Sequence, residues 1–147
     1  MAALTLKQAL QKLQGYLQSG GYVHGALIGE PKGPPAGNAI TAAIFLRTST
    51  VAFLVLGEVT LLHTVTVRFY RNMLAEPIED TEFQLAAAST TAMLDTLSQL
   101  DLQGGFSNPD IATVYTEPIA GQWGYQEIGG VMFRIVDFSV PLPISGS

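Results

Sequence analysis

The sequence predicts one α+β domain, spanning residues 1–147, in which two helices pack on a mainly antiparallel sheet of about four to six strands. Two segments carry apolar residues at helical spacing, and several others are rich in β-branched and aromatic residues. The connections between these segments are short, which favours antiparallel pairing. With 48% apolar residues, the chain can build a core without disulfides or a structural metal.

The first predicted helix begins with a capping box at Thr5 and ends at Ser19-Gly20-Gly21. The second begins near Asp80 or Thr81 and stops at Gly104-Gly105. The first carries an apolar stripe of Leu6, Ala9, Leu10, Leu13 and Leu17. The second carries a stripe of Phe83, Ala86, Ala87, Thr90, Met93, Leu94, Leu97 and Leu100. Such stripes are typical of helices that pack on a core.

The chain between the two helices predicts β-structure. A short apolar run from Tyr22 to Ile28 precedes a loop, rich in Pro and Gly, that ends at Asn38. Ala39 to Arg47 predicts a strand, and Val51 to Leu56 either extends it or forms its own strand. Leu61 to Tyr70 is the clearest strand, because one set of alternating positions is apolar and the other mixed. The apolar set is Leu61, His63, Val65, Val67 and Phe69.

The chain after the second helix also predicts strands, namely Ile111 to Glu117, Trp123 to Ile128 and Val131 to Val140. Gly129-Gly130 suits a tight hairpin turn between the last two. Pro141 and Pro143 are expected to end the sheet. In the last strand the apolar positions change parity after Val136, which either a β-bulge or burial on both faces would explain.

The chain carries unusually little charge. Charged residues make up 13% of the sequence and the mean hydropathy is +0.31. The longest strongly apolar run, Val51 to Leu56, is too short to cross a membrane, and Met1 to Lys12 lacks the pattern of a signal peptide. We therefore expect the chain to fold in a cytoplasm and to bury apolar surface against partner subunits.

Composition also excludes several kinds of chemistry. The absence of cysteine rules out disulfides, thiol catalysis and thiolate metal sites. A net charge of −5 with seven scattered basic residues argues against a module that grips nucleic acid.

The polar residues form no catalytic or ligand-binding motif. His24 and His63 are the only histidines, and their spacing matches no metal motif. Glu76, Glu79, Asp80 and Glu82 could act as acid and base together with Glu30, but their position at a helix start is better explained by the helix dipole. The loop at Gly33 to Gly37 leads into a strand, whereas a phosphate-binding loop leads into a helix. We expect no enzymatic activity, no cofactor and no metal.

One aromatic group has two interpretations. Trp123, Tyr125, Phe133 and Arg134 could form a platform that stacks nucleic-acid bases, or they could simply pack a hairpin. The acidic balance of the chain favours the packed hairpin.

Several short segments occur in a consistent order between Gly29 and Pro143. They are Glu30-Pro31-Lys32, Gly37-Asn38-Ala39-Ile40-Thr41-Ala42-Ala43, Val65-Thr66-Val67-Arg68-Phe69-Tyr70, Asn72-Met73-Leu74-Ala75-Glu76-Pro77, Gly124-Tyr125, Ile128-Gly129-Gly130-Val131-Met132-Phe133-Arg134-Ile135-Val136 and Val140-Pro141-Leu142. In their order and spacing, these segments resemble the tail terminator proteins of long-tailed bacteriophages, especially phages of actinobacteria. These proteins are also called tail completion or minor tail proteins.

The resemblance implies a structural virion protein with a tail-terminator-like α+β fold. Such a subunit forms a six-membered ring on the head-proximal end of the tail tube, ends tube growth and presents the surface that joins the head. Its partners would be copies of itself, the tail tube protein and the head-tail connector proteins. DNA would pass through the lumen without specific binding, which suits the acidic balance. The alternative is a connector or neck adaptor that binds the tube without ending its growth.

Thr50 to Leu62 departs from the resemblance, because similar proteins more often have a polar loop of small residues there. Six consecutive apolar residues, Val51 to Leu56, fit either core or interface. The departure makes this segment our leading hypothesis for a subunit contact. The predicted interface residues are Val51, Phe53, Val55, Leu56, Arg68, Tyr70 and Met73.

Overall fold

The computed structural model describes residues 6–35, 40–55, 58–73, 78–103 and 119–146. Its elements are α1 (Leu6–Ser19), β1 (Gly25–Ile28), β2 (Thr41–Val55), β3 (Glu58–Asn72), α2 (Ile78–Gln103), β4 (Gly121–Ile128) and β5 (Val131–Gly146). The five strands form one open sheet in the order β1-β2-β3-β5-β4. The predicted α+β class with two helices is therefore confirmed. The predicted strand at 111–117 and the capping residue Thr5 lie outside the described residues.

The sheet is mixed, because β1 pairs with β2 in parallel while the other three pairings are antiparallel. A parallel pair needs a long crossover, and residues 29–35 are the part of it that the structure describes after β1. Glu30 lies 3.9 Å from Arg68 of β3, and a Cβ at Gly129 would lie 3.0 Å from the Pro34 ring. The crossover therefore reaches from β1 over one face of the sheet to the β4–β5 turn.

The opposite face of the sheet carries both helices and the main core. The predicted stripe of α1 is confirmed, since Ala9, Leu10, Leu13 and Leu17 are buried and Leu6 packs beside them. The sheet contributes Ala42, Ile44, Val65, Val67, Phe69, Val136, Phe138 and Val140. The rings of Phe69 and Phe138 meet edge to face, with centroids 5.9 Å apart. We refer to this side of the sheet as the helix face.

A second, smaller core lies on the other face, which we call the crossover face. It consists of Ala43, Tyr70, Ile128, Phe133 and Ile135, with Phe45 and Val131 packed against it. The strand β5 is thus buried on both faces, and its register with β3 and β4 shows no shift. Burial on both faces, and not a bulge, explains the change of parity after Val136.

The strand β5 also continues further than predicted. Pro141 pairs with Thr64 and Pro143 with Leu62, and the strand ends only at Gly146. Its pairing with β4 reaches no further than Phe138. Beyond that point β5 pairs with β3 alone among the described residues, so it is an edge strand. Proline lacks a backbone N–H, and an edge strand tolerates it because the N–H groups on its unpaired side have no strand partner. The prediction that the prolines end the sheet was wrong for this reason.

The helix α2 begins at Ile78, slightly before the predicted start, and presents a different side to the core than predicted. Its buried residues are Thr81, Leu85, Ser89, Ala92, Met93 and Thr96. Of the predicted stripe, Met93 is buried as expected, whereas Phe83 and Leu94 are 71% and 67% exposed. Both sets of positions recur at helical spacing, so periodicity alone could not separate them. Gly104-Gly105 lies outside the described residues, and the side chains of Leu97 and Leu100 do too.

Candidate assembly site

Three strands remain paired beyond Ile44, Val65 and Val140, the last core residues that the structure describes on β2, β3 and β5. On β2, burial on the helix face ends at Leu46, which is 45% exposed, and Thr48 and Ser49 are exposed. The helix α2 lies across the other end of the sheet, where Glu82 pairs with Arg134 and Asp95 approaches Gly20. We call residues 48–55, 58–64 and 141–146 the strand extension. On β2 it is roughly 24 Å long, at 3.4 Å per residue.

A β-bulge marks the start of the strand extension. Leu46 pairs with Val65 and Thr48 pairs with Thr64, so Arg47 is an additional residue in β2. Beyond the bulge the pairing resumes, and the Ser49 hydroxyl and His63 Nδ1 are hydrogen-bonded at 2.8 Å. The register of β3 and β5 is continuous through the same region.

The register aligns apolar residues of the three strands within the strand extension. Val51 pairs with Leu61, and Leu61 with Ile144. Phe53 pairs with Val59, two positions further along both strands. The backbone pairing of β2, β3 and β5 therefore continues well beyond the bulge.

The predicted interface residues fall into two separate groups. Val51 and Phe53 pair with Leu61 and Val59 in the strand extension, Val55 pairs with Glu58 near its tip, and Leu56 lies outside the described residues. The other three are at the opposite end of β3. They are Arg68, Tyr70 and Met73, and the two groups are roughly 30 Å apart along the strands. The structure therefore does not bring all seven residues into one surface.

Arg68 makes its main contacts within its own chain. Its Nε and Nη2 donate to the two carboxylate oxygens of Asp137 at 2.6 and 2.8 Å, and Nη1 donates to Gln126 Oε1 at 2.7 Å. The guanidinium also lies 5.1 Å from the ring centroid of Phe45. Hydrogen bonding to Asp137 raises the pKa of Arg68 above its usual range, against the opposing effect of burial. Arg68 thus joins β3 to β5 and β4.

A shallow depression of about 670 Å³ lies around this network on the crossover face. Its charged lining residues are Glu30, Arg47, Arg68 and Asp137. Two acidic and two basic groups cancel in formal charge, and the Arg68 guanidinium already donates two hydrogen bonds to the Asp137 carboxylate. The depression therefore offers no strong site for a charged ligand.

Tyr70 and Met73 are placed by packing within the chain. The Tyr70 side chain is fully buried, and its ring meets Phe133 edge to face at 6.1 Å between centroids. Burial raises the pKa of the Tyr70 hydroxyl, and the positive charge of Arg68 partly opposes this shift. The backbone N–H of Met73 donates to the carbonyl of Met132 at 3.2 Å. Within the single chain, Tyr70 has no surface left for a neighbouring subunit.

The aromatic group on the last hairpin divides between the two faces. Trp123, Tyr125 and Arg134 lie on the helix face, with the guanidinium 5.0 and 4.5 Å from the two ring centroids. Arg134 also forms an ion pair with Glu82 of α2 and donates to the carbonyl of Gly124 at 2.9 Å. Phe133 is buried on the crossover face. The four residues form no common platform, so the geometry favours the packed hairpin.

The exposed side of α2 carries an uncharged surface, which the sequence pattern predicted to face the core. Phe83, Ala87, Thr90 and Leu94 recur at helical spacing and are all exposed. The Thr90 hydroxyl donates to the carbonyl of Ala86 at 2.6 Å, so its hydrogen-bonding capacity is partly used within the helix. We call these four residues the outer stripe. The sequence did carry one sign of this surface, because apolar or small residues recur at helical spacing on both sides of α2.

The described residues contain no group of three or more His, Asp or Glu side chains that could hold a metal ion. No helix in the same ranges is long and apolar enough to span a membrane. The chain matches no known protein-family profile, and no curated protein is similar enough in sequence to count as a relative.

Proposed function

We propose that this chain is a structural virion protein that forms a ring on the head-proximal end of a bacteriophage tail tube. In this role it ends tube growth and presents the surface to which the head joins. The first support is the resemblance to tail terminator proteins, which lies in the order and spacing of short sequence segments between Gly29 and Pro143. The observation that carries it furthest is the exposure of large apolar side chains on α2, where Phe83 is 71% and Leu94 67% exposed.

Two physical features support an assembling subunit. Only 13% of the residues are charged, and the described surface exposes large apolar side chains such as Phe83, Leu94 and Met132. A protein with such a surface gains free energy when copies associate, because apolar area leaves water. A closed ring uses two different surfaces on each copy, so that every subunit contacts two neighbours.

Two further features suit a passage for DNA. The net charge of −5 would repel the phosphate backbone, so DNA could slide through the ring without adhering. The basic residues Arg68 and Arg134 are bound to Asp137 and Glu82, which leaves them less able to bind phosphate.

The proposal is tested by deleting the gene from the phage that encodes it and examining the lysate by negative-stain electron microscopy. Overlong tubes, separate from filled heads, are expected for a terminator. Tubes of normal length without heads would instead indicate the connector or neck adaptor. Normal, infectious particles would exclude a role in the tail.

A further inference from the structure

The buried side of α2 is rich in hydroxyl groups. In the described part of the helix it carries Thr81, Ser89 and Thr96, while Leu85 and Met93 are its large apolar residues. The hydroxyl oxygens of Thr81 and Thr96 have no hydrogen-bond partner among the described residues. A buried polar group without a partner destabilises the arrangement that buries it.

The outer stripe offers the core an equivalent apolar surface. Phe83 and Leu94 are similar in apolar area to Leu85 and Met93, and the stripe has one hydroxyl residue, Thr90, which is already hydrogen-bonded within the helix. Apolar burial therefore gives α2 no clear preference for the observed side, and the unpartnered hydroxyls oppose it. A more specific interaction is needed to select the side that faces the core.

Glu82 makes an interaction of this kind in the first turns of α2. The Nε and Nη2 atoms of Arg134 donate to its two carboxylate oxygens. The side chains of Arg134 and Glu82 are only 14% and 36% exposed, so solvent screens the pair less than it would screen one at the surface. The outer stripe lies on the opposite side of the helix, and a helix turned to bury that stripe would carry Glu82 away from Arg134.

The sheet holds the Arg134 guanidinium in position independently of α2. The guanidinium carbon lies 5.0 Å from the ring centroid of Trp123 and 4.5 Å from that of Tyr125. Its Nη1 donates to the carbonyl of Gly124 at 2.9 Å. Contacts with β4 therefore present a fixed pair of donors to whichever side of α2 lies above them.

A second arginine increases the effect of a carboxylate at this place. Arg71 of β3 is the direct partner of Arg134 in the strand register, and it is buried. Like charges directly opposite each other on a sheet are destabilising. The Glu82 carboxylate lowers this repulsion because it offsets the charge of Arg134.

We propose that the Arg134–Glu82 ion pair sets the rotation of α2 about its own axis. The pair holds the Leu85 side against the core and keeps the outer stripe exposed. Without the pair, the helix turns by about half a revolution and buries Phe83 and Leu94. The helix α2 is thus an element with two packing arrangements, and Arg134 is the positioning residue that selects one of them. The inference goes beyond the proposed function, because it concerns a single copy of the chain.

The test uses introduced thiols, since the chain has no cysteine. Ala87→Cys places a thiol on the exposed side of α2, and Ser89→Cys places one on the buried side with little change of volume. The rate at which each thiol reacts with a small disulfide reagent is measured at a concentration that keeps the chain monomeric. In the otherwise unmodified chain, the thiol at position 87 should react at least about tenfold faster than the thiol at position 89.

Glu82→Gln removes the charge of the pair and nearly preserves the shape of the side chain. In this background the thiol at position 89 should react about tenfold faster than before, and the thiol at position 87 about tenfold more slowly. Opposite changes at the two positions indicate rotation, because a general loss of packing would expose both. Glu127→Gln is the matched control, since it removes an exposed carboxylate from β4 and should change neither rate.

A rescue variant checks that the two sides of α2 compete for the core. Adding Phe83→Gln and Leu94→Gln to Glu82→Gln removes the apolar groups that favour the turned helix, so the original rates should return. If Glu82→Gln shows no cooperative thermal transition by circular dichroism, Arg134→Lys takes its place. Lysine keeps the positive charge but cannot donate the two parallel hydrogen bonds to the Glu82 carboxylate.

Three results would overturn the proposal. Unchanged rates in the Glu82→Gln background would mean that packing alone selects the buried side. Faster reaction at both positions would mean that α2 separates from the sheet and does not rotate. Altered rates that persist in the rescue variant would mean that the outer stripe does not compete. None of these results depends on the tail phenotype of the deletion, so the proposed function stands or fails separately.

Discussion

Arg68 on β3 and Asp137 on β5 are direct partners in the strand register, and the guanidinium donates to both carboxylate oxygens, at 2.6 and 2.8 Å. The two side chains are only 18% and 19% exposed. This charge pair connects β3 to β5 on the crossover face of the sheet. The described residues place no helix on that face. The pair therefore holds β3 against β5 at this position in the sheet.

Replacing Asp137 with Asn should destabilise the folded chain by about 2 kcal/mol, because the Arg68 guanidinium loses a charged acceptor in a largely buried site. Urea denaturation monitored by circular dichroism measures the change. The control is Glu127→Gln, which removes a carboxylate from an exposed position on the neighbouring strand β4 and should change stability by less than about 0.5 kcal/mol. Equal effects of the two substitutions would show that the pair contributes nothing specific.

Tyr70 should make stability fall at high pH. Burial raises the pKa of its hydroxyl above the ordinary value of about 10, so the folded state retains the proton more tightly than the unfolded state does. This contribution is fully present below pH 10 and is lost as the pH rises through the folded-state pKa. The free energy of unfolding should therefore decline less steeply above pH 10 in Tyr70→Phe than in the unmodified chain. Identical slopes would contradict the assignment.

The two sides of α2 should respond differently to truncation. Leu85 is fully buried, so Leu85→Ala should cost about 3 kcal/mol of stability through lost contacts and the cavity left behind. Leu94 is exposed on the outer stripe, and Leu94→Ala should change the stability of the monomer by less than about 0.5 kcal/mol. Unfolding experiments at a concentration that keeps the chain monomeric make the comparison. A larger cost for Leu94 would mean that the sequence-based stripe was right.

The strand extension should be required for assembly but not for folding. If these residues form the hypothesised subunit contact, the double variant Phe53→Asp, Val55→Asp should abolish ring formation and leave a folded monomer, because the added charges would have to be desolvated on association. Light scattering gives the oligomeric state, and the thermal transition reports the fold. Thr48→Asp, which adds a charge at the exposed base of the extension, serves as the control. Loss of the monomer's own transition in the double variant would mean that the segment belongs to the core.

Much of the fold could be predicted because it follows from local patterns in the chain. The stripe of α1, the alternation along β3 and the hairpin at Gly129-Gly130 each depend on residues that are close in sequence. Both turn glycines have positive φ, 56° and 80°, which glycine adopts without steric cost. The change of parity in β5 was also visible in the sequence. Only the pairing with β3 and β4 distinguished burial on both faces from a β-bulge, because the register with both strands is continuous.

The features that the sequence did not reveal depend on residues far apart in the chain. Arg68 meets Asp137 across 69 positions, and no local pattern shows that a lone arginine will find a carboxylate there. The side of α2 that faces the core was misassigned because two stripes have the same periodicity, and only packing against α1 and the sheet distinguishes them. The parallel placement of β1 and the passage of β5 through two prolines depend on which neighbours the strands have. Periodicity specifies where chain segments become helix or strand, whereas the contact surfaces arise from long-range packing, which decides what remains exposed to a partner.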